Sequence, residues 1–194
     1  MKRFFDIICS FFGLIFLSPL FLLISILIRF DSKGTVFYKQ LRVGKNGKDF
    51  QLYKFRTMVE DADKKGDITT SDKDSRITHI GRFLRKHKFD EFPQLLNVLK
   101  GEMSLVGPRP ELRKYVEMYR EEQKNVLSVL PGITDYASLK FSNENELLGK
   151  AENPQEYYIR QIMPVKLKLN LKYIEDRGFF TDLKIIFATL KKIL

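Results

Sequence analysis

The chain has 194 residues, and its 34 lysines and arginines outnumber its 24 aspartates and glutamates to give a formal net charge of +10. This length predicts one domain or slightly more, and the charge favours an anionic partner such as nucleic acid, a phosphorylated small molecule or an acidic lipid surface. One cysteine and two histidines exclude a disulfide framework and argue against a zinc site of the Cys/His kind.

An apolar segment occupies the first thirty residues. Over 4–28 its only formal charge is Asp6, and the run exceeds the ~20 apolar residues that cross a hydrocarbon core as a helix. A secretory signal peptide has a shorter apolar run and a small-residue cleavage motif, and no such motif follows here. The pattern therefore predicts a retained membrane helix over 1–30 and a second domain over 31–194.

Charge and proline bear on how that helix meets the membrane. Lys2 and Arg3 precede it, and further basic residues follow it at Arg29, Lys33, Lys39, Arg42, Lys45 and Lys48. Basic residues favour the cytoplasmic side, so both ends are expected there. Ser18-Pro19 near the middle can bend the helix, because proline removes a backbone donor and the serine hydroxyl can satisfy the freed carbonyl. We predict a re-entrant helix hairpin broken at Ser18 and Pro19, with an ordinary kinked spanning helix as the alternative; Asp6 favours the hairpin, since a carboxylate is tolerated near the interface but not at depth.

A β-hairpin is predicted next. Two runs rich in β-branched and aromatic residues, 35–43 and 49–58, flank the turn-forming pair Asn46-Gly47. The stretch that follows, 59–74, is polar and dense in charge, and is therefore predicted to be a surface loop.

Helical spacing and capping residues predict helices in the rest of the chain. They are expected from a cap at Thr78 through Leu84, from Asp90 to Gly101, over 111–129, from Asn153-Pro154 to an interruption at Pro164, over 165–173 and over 179–194. The stretch 165–173 alternates with period two, as a strand does, but its leucines and lysines favour a helix. The last helix is amphipathic, which suits either a protein core or a membrane surface. The predicted fold class is α+β: a re-entrant membrane helix plus a small cytoplasmic domain of helices and a β-hairpin, with amphipathic interfacial helices.

Two adjacent carboxylates, Asp90 and Glu91, lie between a basic helix and an apolar one. Acidic residues at a helix start commonly cap it and complement its dipole, which is the structural interpretation. The functional interpretation depends on the surrounding cations, because positive side chains and free helix amides together form a phosphate pocket. Those cations are Arg82, Arg85, Lys86, Lys88 and Arg109.

Within such a pocket Asp90 could attack phosphorus, because an aspartate with the ordinary pKa of about 3.9 is ionised at neutral pH. It could equally hold a divalent cation, since hard oxygen ligands suit Mg²⁺ and phosphate oxygens complete its octahedron. Neighbouring helix residues point about 100° apart, so Asp90 and Glu91 are expected to perform different tasks.

Several motifs resemble those of one protein family. They are Lys2-Arg3, Asp6, Ser18-Pro19, VFYKQLRVGKNGKDFQLYKFRTM over 36–58, DSRITHIGRFLRK over 74–86, DEFPQLLNVLKGEMSLVGPRP over 90–110 and PGIT over 131–134. On these residues the chain resembles the bacterial sugar transferases, monotopic phosphoglycosyl transferases that load a phosphosugar from a nucleotide diphosphate sugar onto a polyprenyl phosphate. The resemblance is dense over 2–140 and loose over the last third.

The resemblance implies a bacterial inner-membrane enzyme with its catalytic domain facing the cytoplasm, a UDP-sugar donor and an undecaprenyl phosphate acceptor. It implies that Asp90 attacks the β-phosphorus, that UMP leaves, and that the phosphosugar stays on Asp90 until the lipid phosphate attacks, with Glu91 assisting. Mg²⁺ would bridge Asp90 and the diphosphate, and Arg109, between Pro108 and Pro110, would bind phosphate. Further phosphate candidates, for which ordinary surface charge is the alternative, are Lys54, Arg56, Arg82 and Arg85. Such a step would begin a glycoconjugate pathway, with no role for nucleic acid.

The chain departs from the family pattern in several places. Phe89 and Phe92 stand where leucines are frequent and Glu102 stands where aspartate is usual, and these changes preserve size or charge. Over 135–138 this chain has Asp-Tyr-Ala-Ser where the family more often has Gly-Trp-Ala-Gln, so the identity of the sugar stays open, as do the pathway and the oligomeric state. The alternative from another class is a membrane-tethered basic nucleic-acid-binding or scaffold protein without catalysis, because Lys and Arg interleaved with Phe and Tyr can track a phosphate backbone. The pair Asp90-Glu91 argues against it, since carboxylates in such a groove repel phosphate.

Overall fold

The computed structural model describes residues 1–62 and 74–193 of the chain. The surface loop predicted over 59–74 therefore lies mostly outside the described residues. The described part has the predicted α+β class, in which a long apolar helix precedes short helices and two small two-stranded sheets. The helices are α1 (Lys2–Asp31), α2 (His79–Lys86), α3 (Gln94–Lys100), α4 (Arg113–Val116), α5 (Tyr136–Lys140), α6 (Glu144–Gly149), α7 (Pro154–Tyr157), α8 (Met163–Asp176) and α9 (Phe179–Ile193). The strands are β1 (Phe37–Val43), β2 (Asp49–Phe55), β3 (Ser104–Val106) and β4 (Gly132–Thr134).

Helix α1 has 30 residues, a length of about 45 Å, and contains Pro19. Proline has no N–H to donate to the carbonyl of Ile15, one turn earlier. The Ser18 hydroxyl donates to that carbonyl instead, at 2.8 Å. The expected role of the serine is therefore confirmed. The helix continues through Pro19, so the break predicted at Ser18 and Pro19 does not interrupt the helical backbone.

The two faces of α1 differ. One face packs on the rest of the protein, where Asp6, Ser10, Ile24 and Ile28 are buried. The other face exposes large apolar side chains, among them Phe4, Ile8, Phe11, Ile15, Phe16, Leu22, Leu23, Ile26 and Phe30. Within the described ranges α1 is also the helix that is long and apolar enough to cross a membrane, by length and composition. An exposed apolar stripe of this size is typical of a surface that contacts a membrane.

Both ends of α1 are attached to the same globular body. At its start the Lys2 ammonium donates to the Val106 carbonyl at 3.0 Å and to Asp182 at 2.5 Å. At its end Asp31 accepts a hydrogen bond from the Ile80 amide at 2.9 Å. The helix start therefore contacts β3 and α9, and the helix end contacts α2.

Charged residues near the start of α1 form hydrogen bonds inside the protein. Arg3 donates to the Val98 carbonyl at 2.7 Å, near the end of α3, where helix carbonyls lack an intrahelical donor. Asp6 is 2% exposed and accepts hydrogen bonds from the Ser104 hydroxyl at 2.8 Å and the Leu105 amide at 3.2 Å. Asp6, expected near the membrane interface, is thus buried against β3, because two donors compensate for its lost hydration.

The predicted hairpin is confirmed. β1 and β2 pair antiparallel, with Tyr38 opposite Lys54. In the turn between them Asn46 has φ 57° and Gly47 has φ 73°. Glycine and asparagine adopt this left-handed conformation more readily than other residues, which is why the pair identifies the turn from sequence alone.

The second sheet is a parallel pair that the sequence pattern does not predict. β3 and β4 pair with Ser104 opposite Gly132. The backbone at Gly132 in β4 lies very close to Gly107, the residue that follows β3. A Cβ on Gly132 would lie 2.0 Å from the Gly107 nitrogen. Only glycine fits at such a distance, so Gly132 fixes how closely β4 approaches the segment that follows β3.

Several helices differ from their sequence prediction. The single helix predicted over 111–129 is wrong, because this stretch divides into α4 and a 3₁₀ helix, Glu121–Ser128. The interruption predicted at Pro164 is also wrong: a π-helical segment, Tyr158–Ile162, joins α7 to α8, and the proline lies in the first turn of α8, where it is tolerated. The helix predicted over 165–173 is confirmed as part of α8, whereas α5 and α6 are not predicted.

Helix α9 is amphipathic, as predicted. Its Ile185 is buried beside Val106 and Tyr173, while Phe180 and Phe187 are exposed. The predicted packing in the protein core is therefore confirmed for one face of α9, and contact of its exposed face with a membrane stays a prediction.

Candidate active site

The two carboxylates lie in a turn between helices. After α2, Lys88 adopts the left-handed backbone conformation at φ 58° and leads into a 3₁₀ turn, Phe89–Glu91. α3 begins only at Gln94, so the helix predicted to begin at Asp90 starts later, and it ends as predicted at Gly101. The angle between adjacent side chains is less fixed in a turn than in a helix. The surroundings of Asp90 and Glu91 are different.

Glu91 is held by two cations. Arg109 donates to both of its oxygens, in one case at 3.0 Å, and Lys54 donates to Oε1 at 3.0 Å. Burial alone would raise the pKa of Glu91, but Arg109 and then Lys54 outweigh it and hold that pKa well below its usual range. Burial in turn lowers the pKa of Lys54, although Glu91 opposes this. Glu91 therefore stays ionised and serves as the acceptor that fixes both cations.

Asp90 has no comparable partner among the described residues. It is 8% exposed, and its Oδ1 makes no hydrogen bond to any residue that the structure describes. Burial and then the charge of Glu91 raise the pKa of Asp90, and the charges of Lys54 and other cations only partly oppose this. The pKa therefore lies above the ordinary value of about 3.9 that the sequence analysis assumed. A carboxylate that is poorly hydrated and lacks a hydrogen-bond donor is the one of the pair with an oxygen available for chemistry.

Both carboxylates line a large cavity of about 1130 Å³. The volume slightly exceeds the range for small-molecule sites, about 300–1,000 Å³. Lysines and arginines outnumber acidic residues among its lining side chains, and they include Arg42, Lys54, Arg85, Lys86, Lys88 and Arg109. The residues that the sequence analysis grouped as a phosphate pocket are thus mostly brought together, and the cavity is suited to an anionic ligand.

Arg109 and Pro110 of the Pro-Arg-Pro segment line this cavity, whereas Pro108, which the resemblance placed beside them, does not. The Pro108 carbonyl accepts a hydrogen bond from the Gly132 amide at 3.0 Å, and the Pro110 carbonyl accepts one from Arg42 at 3.2 Å. Proline also fixes its own φ, so the segment has few conformations. This rigidity presents the Arg109 side chain to Glu91.

Three other predicted phosphate residues have different positions. Arg85 lines the cavity, whereas Arg82 is exposed on α2 and does not line it. Arg56 contributes to the cavity wall, but its guanidinium donates to the carbonyls of Lys33 and, at 2.8 Å, Ser32, just after α1. Arg56 therefore fastens the end of the apolar helix in this structure.

Polar residues that the sequence pattern does not mark as site residues also line the cavity. Arg42 donates to Glu111 at 3.1 Å, and Tyr158 donates to the other oxygen of the same carboxylate. Lys166 and Glu144 form an ion pair at 2.6 Å. For Arg42 a signal exists, because polar side chains at alternate positions of β1 indicate a polar sheet face. Glu111 directly follows the Pro-Arg-Pro segment. Glu144, Tyr158 and Lys166 come from helical segments in the loosely matching last third, where no motif marks them.

Comparison with known proteins decides the family. The family model described as bacterial sugar transferase matches residues 1–194. The chain belongs to the bacterial sugar transferase family. This membership makes it a transferase and favours that hypothesis over the nucleic-acid-binding and scaffold alternatives.

Three relatives illustrate the similarity. The transferase is 40% identical over 194 residues to "Uncharacterized sugar transferase EpsL" of Bacillus subtilis, which covers 100% of this chain and 87% of the relative. It is 36% identical over 197 residues to the UDP-N-acetylgalactosamine-undecaprenyl-phosphate N-acetylgalactosaminephosphotransferase of Aeromonas hydrophila, covering 100% of this chain and 44% of the relative. It is 39% identical over 197 residues to the UDP-glucose:undecaprenyl-phosphate glucose-1-phosphate transferase of Klebsiella pneumoniae, covering 98% and 39%. The chain thus spans less than half the length of the last two.

The side chains around Asp90 bear on whether the site can hold Mg²⁺. Among the described residues no three His, Cys, Asp or Glu side chains cluster as a metal site. Mg²⁺ is commonly bound by one or two carboxylates together with waters and substrate phosphates. Asp90 supplies a buried carboxylate oxygen without a donor, while the oxygens of Glu91 are occupied by cations. The residues therefore fit a site in which Asp90 is the protein ligand and the substrate completes the shell.

Proposed function

We propose that this transferase moves a sugar 1-phosphate from a UDP-sugar to undecaprenyl phosphate, releasing UMP, through a covalent phosphosugar on Asp90. This would be the first membrane step of a pathway that builds a polysaccharide or another glycoconjugate. Two relatives carry undecaprenyl phosphate and a UDP-sugar in their names, which supports both substrates. The cationic cavity supports a diphosphate donor.

The observation that carries this proposal is the contrast between the two carboxylates. Arg109 and Lys54 hold Glu91, whereas Asp90 is buried at the cavity with an oxygen that has no donor among the described residues. If the pair were only a helix cap, its oxygens would accept backbone N–H groups of the next helix, and α3 has no side-chain cap. The arrangement instead keeps one carboxylate available and one fixed.

The proposed chemistry is a double displacement. An oxygen of ionised Asp90 attacks the β-phosphorus of the donor, the bond from that phosphorus to the bridging oxygen breaks, and UMP leaves with the electron pair. A phosphate oxygen of the lipid then attacks the same phosphorus, and the bond to Asp90 breaks to restore the carboxylate. No proton needs to be gained or lost at Asp90, which agrees with an acyl phosphate intermediate.

The other residues position the donor. The guanidinium of Arg109 has five N–H donors and binds Glu91 through two of its nitrogens, so it can bind Glu91 and a phosphate oxygen together. Lys54 and Arg85 line the same cavity and add positive charge where negative charge develops. A divalent cation such as Mg²⁺, held by Asp90, would withdraw charge from the diphosphate oxygens and make the leaving group better.

In the proposed reaction, the apolar helix α1 holds the active site at the membrane surface. The acceptor is a lipid whose phosphate lies at the bilayer surface, so the site has to lie at that depth. Both ends of α1 contact the globular body, which supports a re-entrant helix whose two ends face the cytoplasm. Its exposed apolar face would then enter one leaflet without crossing the bilayer.

Cysteine labelling tests this topology. In a Cys9→Ser background, one cysteine is placed at Lys33 and another in a short polar tag before Met1. We expect a membrane-impermeant maleimide to label neither in intact cells and both in inside-out vesicles, as it labels a reference cysteine at Lys48 in the hairpin turn. Labelling of one end in intact cells would mean that α1 spans the membrane.

Intact-protein mass spectrometry tests the proposed reaction. The purified protein is incubated with each of a panel of UDP-sugars and Mg²⁺, without lipid acceptor. With the correct donor we expect a mass increase of one phosphosugar and an equivalent release of UMP, and we expect EDTA to abolish both because the diphosphate charge is then not neutralised. Product formation from donor and lipid without any adduct would refute the covalent intermediate, and an adduct that forms in EDTA would refute the metal requirement.

A further inference from the structure

A buried aspartate, Asp135, lies directly behind the Pro-Arg-Pro segment. It has no exposed surface. Each of its carboxylate oxygens accepts a hydrogen bond from a different backbone amide. Oδ1 accepts from Ser138 at 2.6 Å, which caps α5, and Oδ2 accepts from Arg109 at 3.2 Å. A buried carboxylate is stable only when donors compensate for its lost hydration, so these two contacts are strongly specified.

The Arg109 amide is a distinctive donor. Pro108 and Pro110, on either side of it, have no N–H, so this amide is the backbone donor of the 108–110 segment. The carbonyls of both prolines have other partners, Gly132 and Arg42, as described above. Asp135 therefore supplies the remaining contact that fixes the backbone of this segment at its central residue.

The segment that carries Asp135 is itself fixed from the other side. The hydroxyls of Thr134 and Thr189 are 2.6 Å apart, and Lys192 donates to the Leu139 carbonyl at 2.5 Å. Helix α9 therefore contacts both ends of the stretch from Thr134 to Leu139, which contains Asp135. A rigid support of this kind can hold a neighbouring backbone within the small tolerance that a catalytic site requires.

We propose that Asp135 is a positioning residue for the transfer reaction: its carboxylate fixes the Arg109 backbone and thereby the grip of Arg109 on Glu91 and on the donor diphosphate. The inference rests on the proposed function for its effect on catalysis, but the contact that it describes can be measured separately. The same carboxylate fixes α5, whose Ser138 and Leu139 line the cavity, so it places Arg109 and this wall relative to each other.

Two substitutions separate positioning from capping. Asp135→Asn keeps the size of the side chain but has one acceptor oxygen; if that oxygen keeps the shorter bond to Ser138, the amide group faces the Arg109 N–H without accepting from it. Asp135→Ser keeps a good helix cap and is too short to reach Arg109 as well. Both variants therefore retain the cap of α5 and lose the contact to Arg109.

We expect kcat/KM for the donor to fall by about 10- to 100-fold in both variants, the size expected for losing one hydrogen bond to a charged group. The KM for the lipid acceptor should change less than twofold. The matched control is Asn153→Ala, which removes the side-chain cap of α7 at a residue that does not line the cavity, and should leave both constants unchanged. Donor kcat/KM within twofold of the parent protein in both Asp135 variants would overturn the proposal.

A second measurement does not depend on turnover. In protein labelled with ¹⁵N-arginine, the Arg109 amide should exchange with solvent at least about tenfold faster in Asp135→Ser than in the parent or in Asn153→Ala, because it has lost its acceptor. Unchanged exchange would overturn the positioning role whatever the enzyme does. If the parent protein released UMP from no donor, the proposed function would fail, and accelerated exchange would still establish that Asp135 fixes the segment.

Discussion

Replacing Asp90 with asparagine is expected to abolish both the phosphosugar adduct and the release of UMP, with a loss of at least ~10³-fold. Asparagine has nearly the same shape and fills the same buried turn, but its amide is neither anionic nor a nucleophile toward phosphorus. The charge of Glu91 and its bonds to Arg109 and Lys54 remain, so binding of the donor should change much less than turnover. The measurements are the intact mass with donor alone and UMP release with donor and lipid.

The control for this variant is Asp49→Asn. Asp49 forms an ion pair with Arg113 at 2.6 Å at the start of β2 and does not line the cavity. The Asp49→Asn variant lacks one surface carboxylate and should keep full activity. If Asp90→Asn turned over about as fast as Asp49→Asn, Asp90 would not be the nucleophile. A phosphosugar adduct on the Asp90→Asn protein would mean that another residue carries the phosphosugar.

Sequence reasoning predicts the features that short stretches determine. The hairpin follows from Asn46-Gly47 between two strand-forming runs, and the end of α3 follows from Gly101. The β3–β4 pair is different, because its three-residue strands are far apart in the chain and neither is long enough to show a period. The split of the 111–129 region is missed because 3₁₀ and α helices place apolar residues at similar spacings.

The candidate site also has parts that short stretches of sequence predict and parts that depend on tertiary contacts. The carboxylate pair and the Pro-Arg-Pro segment are visible as motifs, but their pairing is tertiary. Lys54 and Arg56 are two residues apart and would share a face of one strand, yet β2 ends at Phe55. Lys54 therefore reaches Glu91, whereas Arg56 binds the carbonyls after α1. Which cation meets the dyad depends on where the strand ends, and the sequence pattern does not fix that point.

The second large effect is expected when Arg109 is replaced with glutamine. Glu91 then keeps Lys54 but loses the partner that most strongly lowers its pKa. We expect donor kcat/KM to fall by about 100-fold or more, since the same guanidinium is proposed to bind phosphate. Arg109→Lys should recover little activity, because one ammonium cannot bridge Glu91 and a phosphate as a planar guanidinium does.

The same variant should show a pH-dependent loss of stability. In the folded protein the pKa of Glu91 is held below its unfolded value of about 4.3, so its ion pairs add stability above that pH, and this is lost as pH falls through the lower, folded pKa. Because Arg109 is partly exposed, we expect Arg109→Gln to cost about 1–3 kcal/mol at pH 7 and less at pH 4. Thermal unfolding in detergent at the two pH values measures the difference, with Arg113→Gln, which loses an exposed pair to Asp49, as the control. An equal or larger cost at pH 4 would contradict the role of Arg109 as the cation that keeps Glu91 ionised.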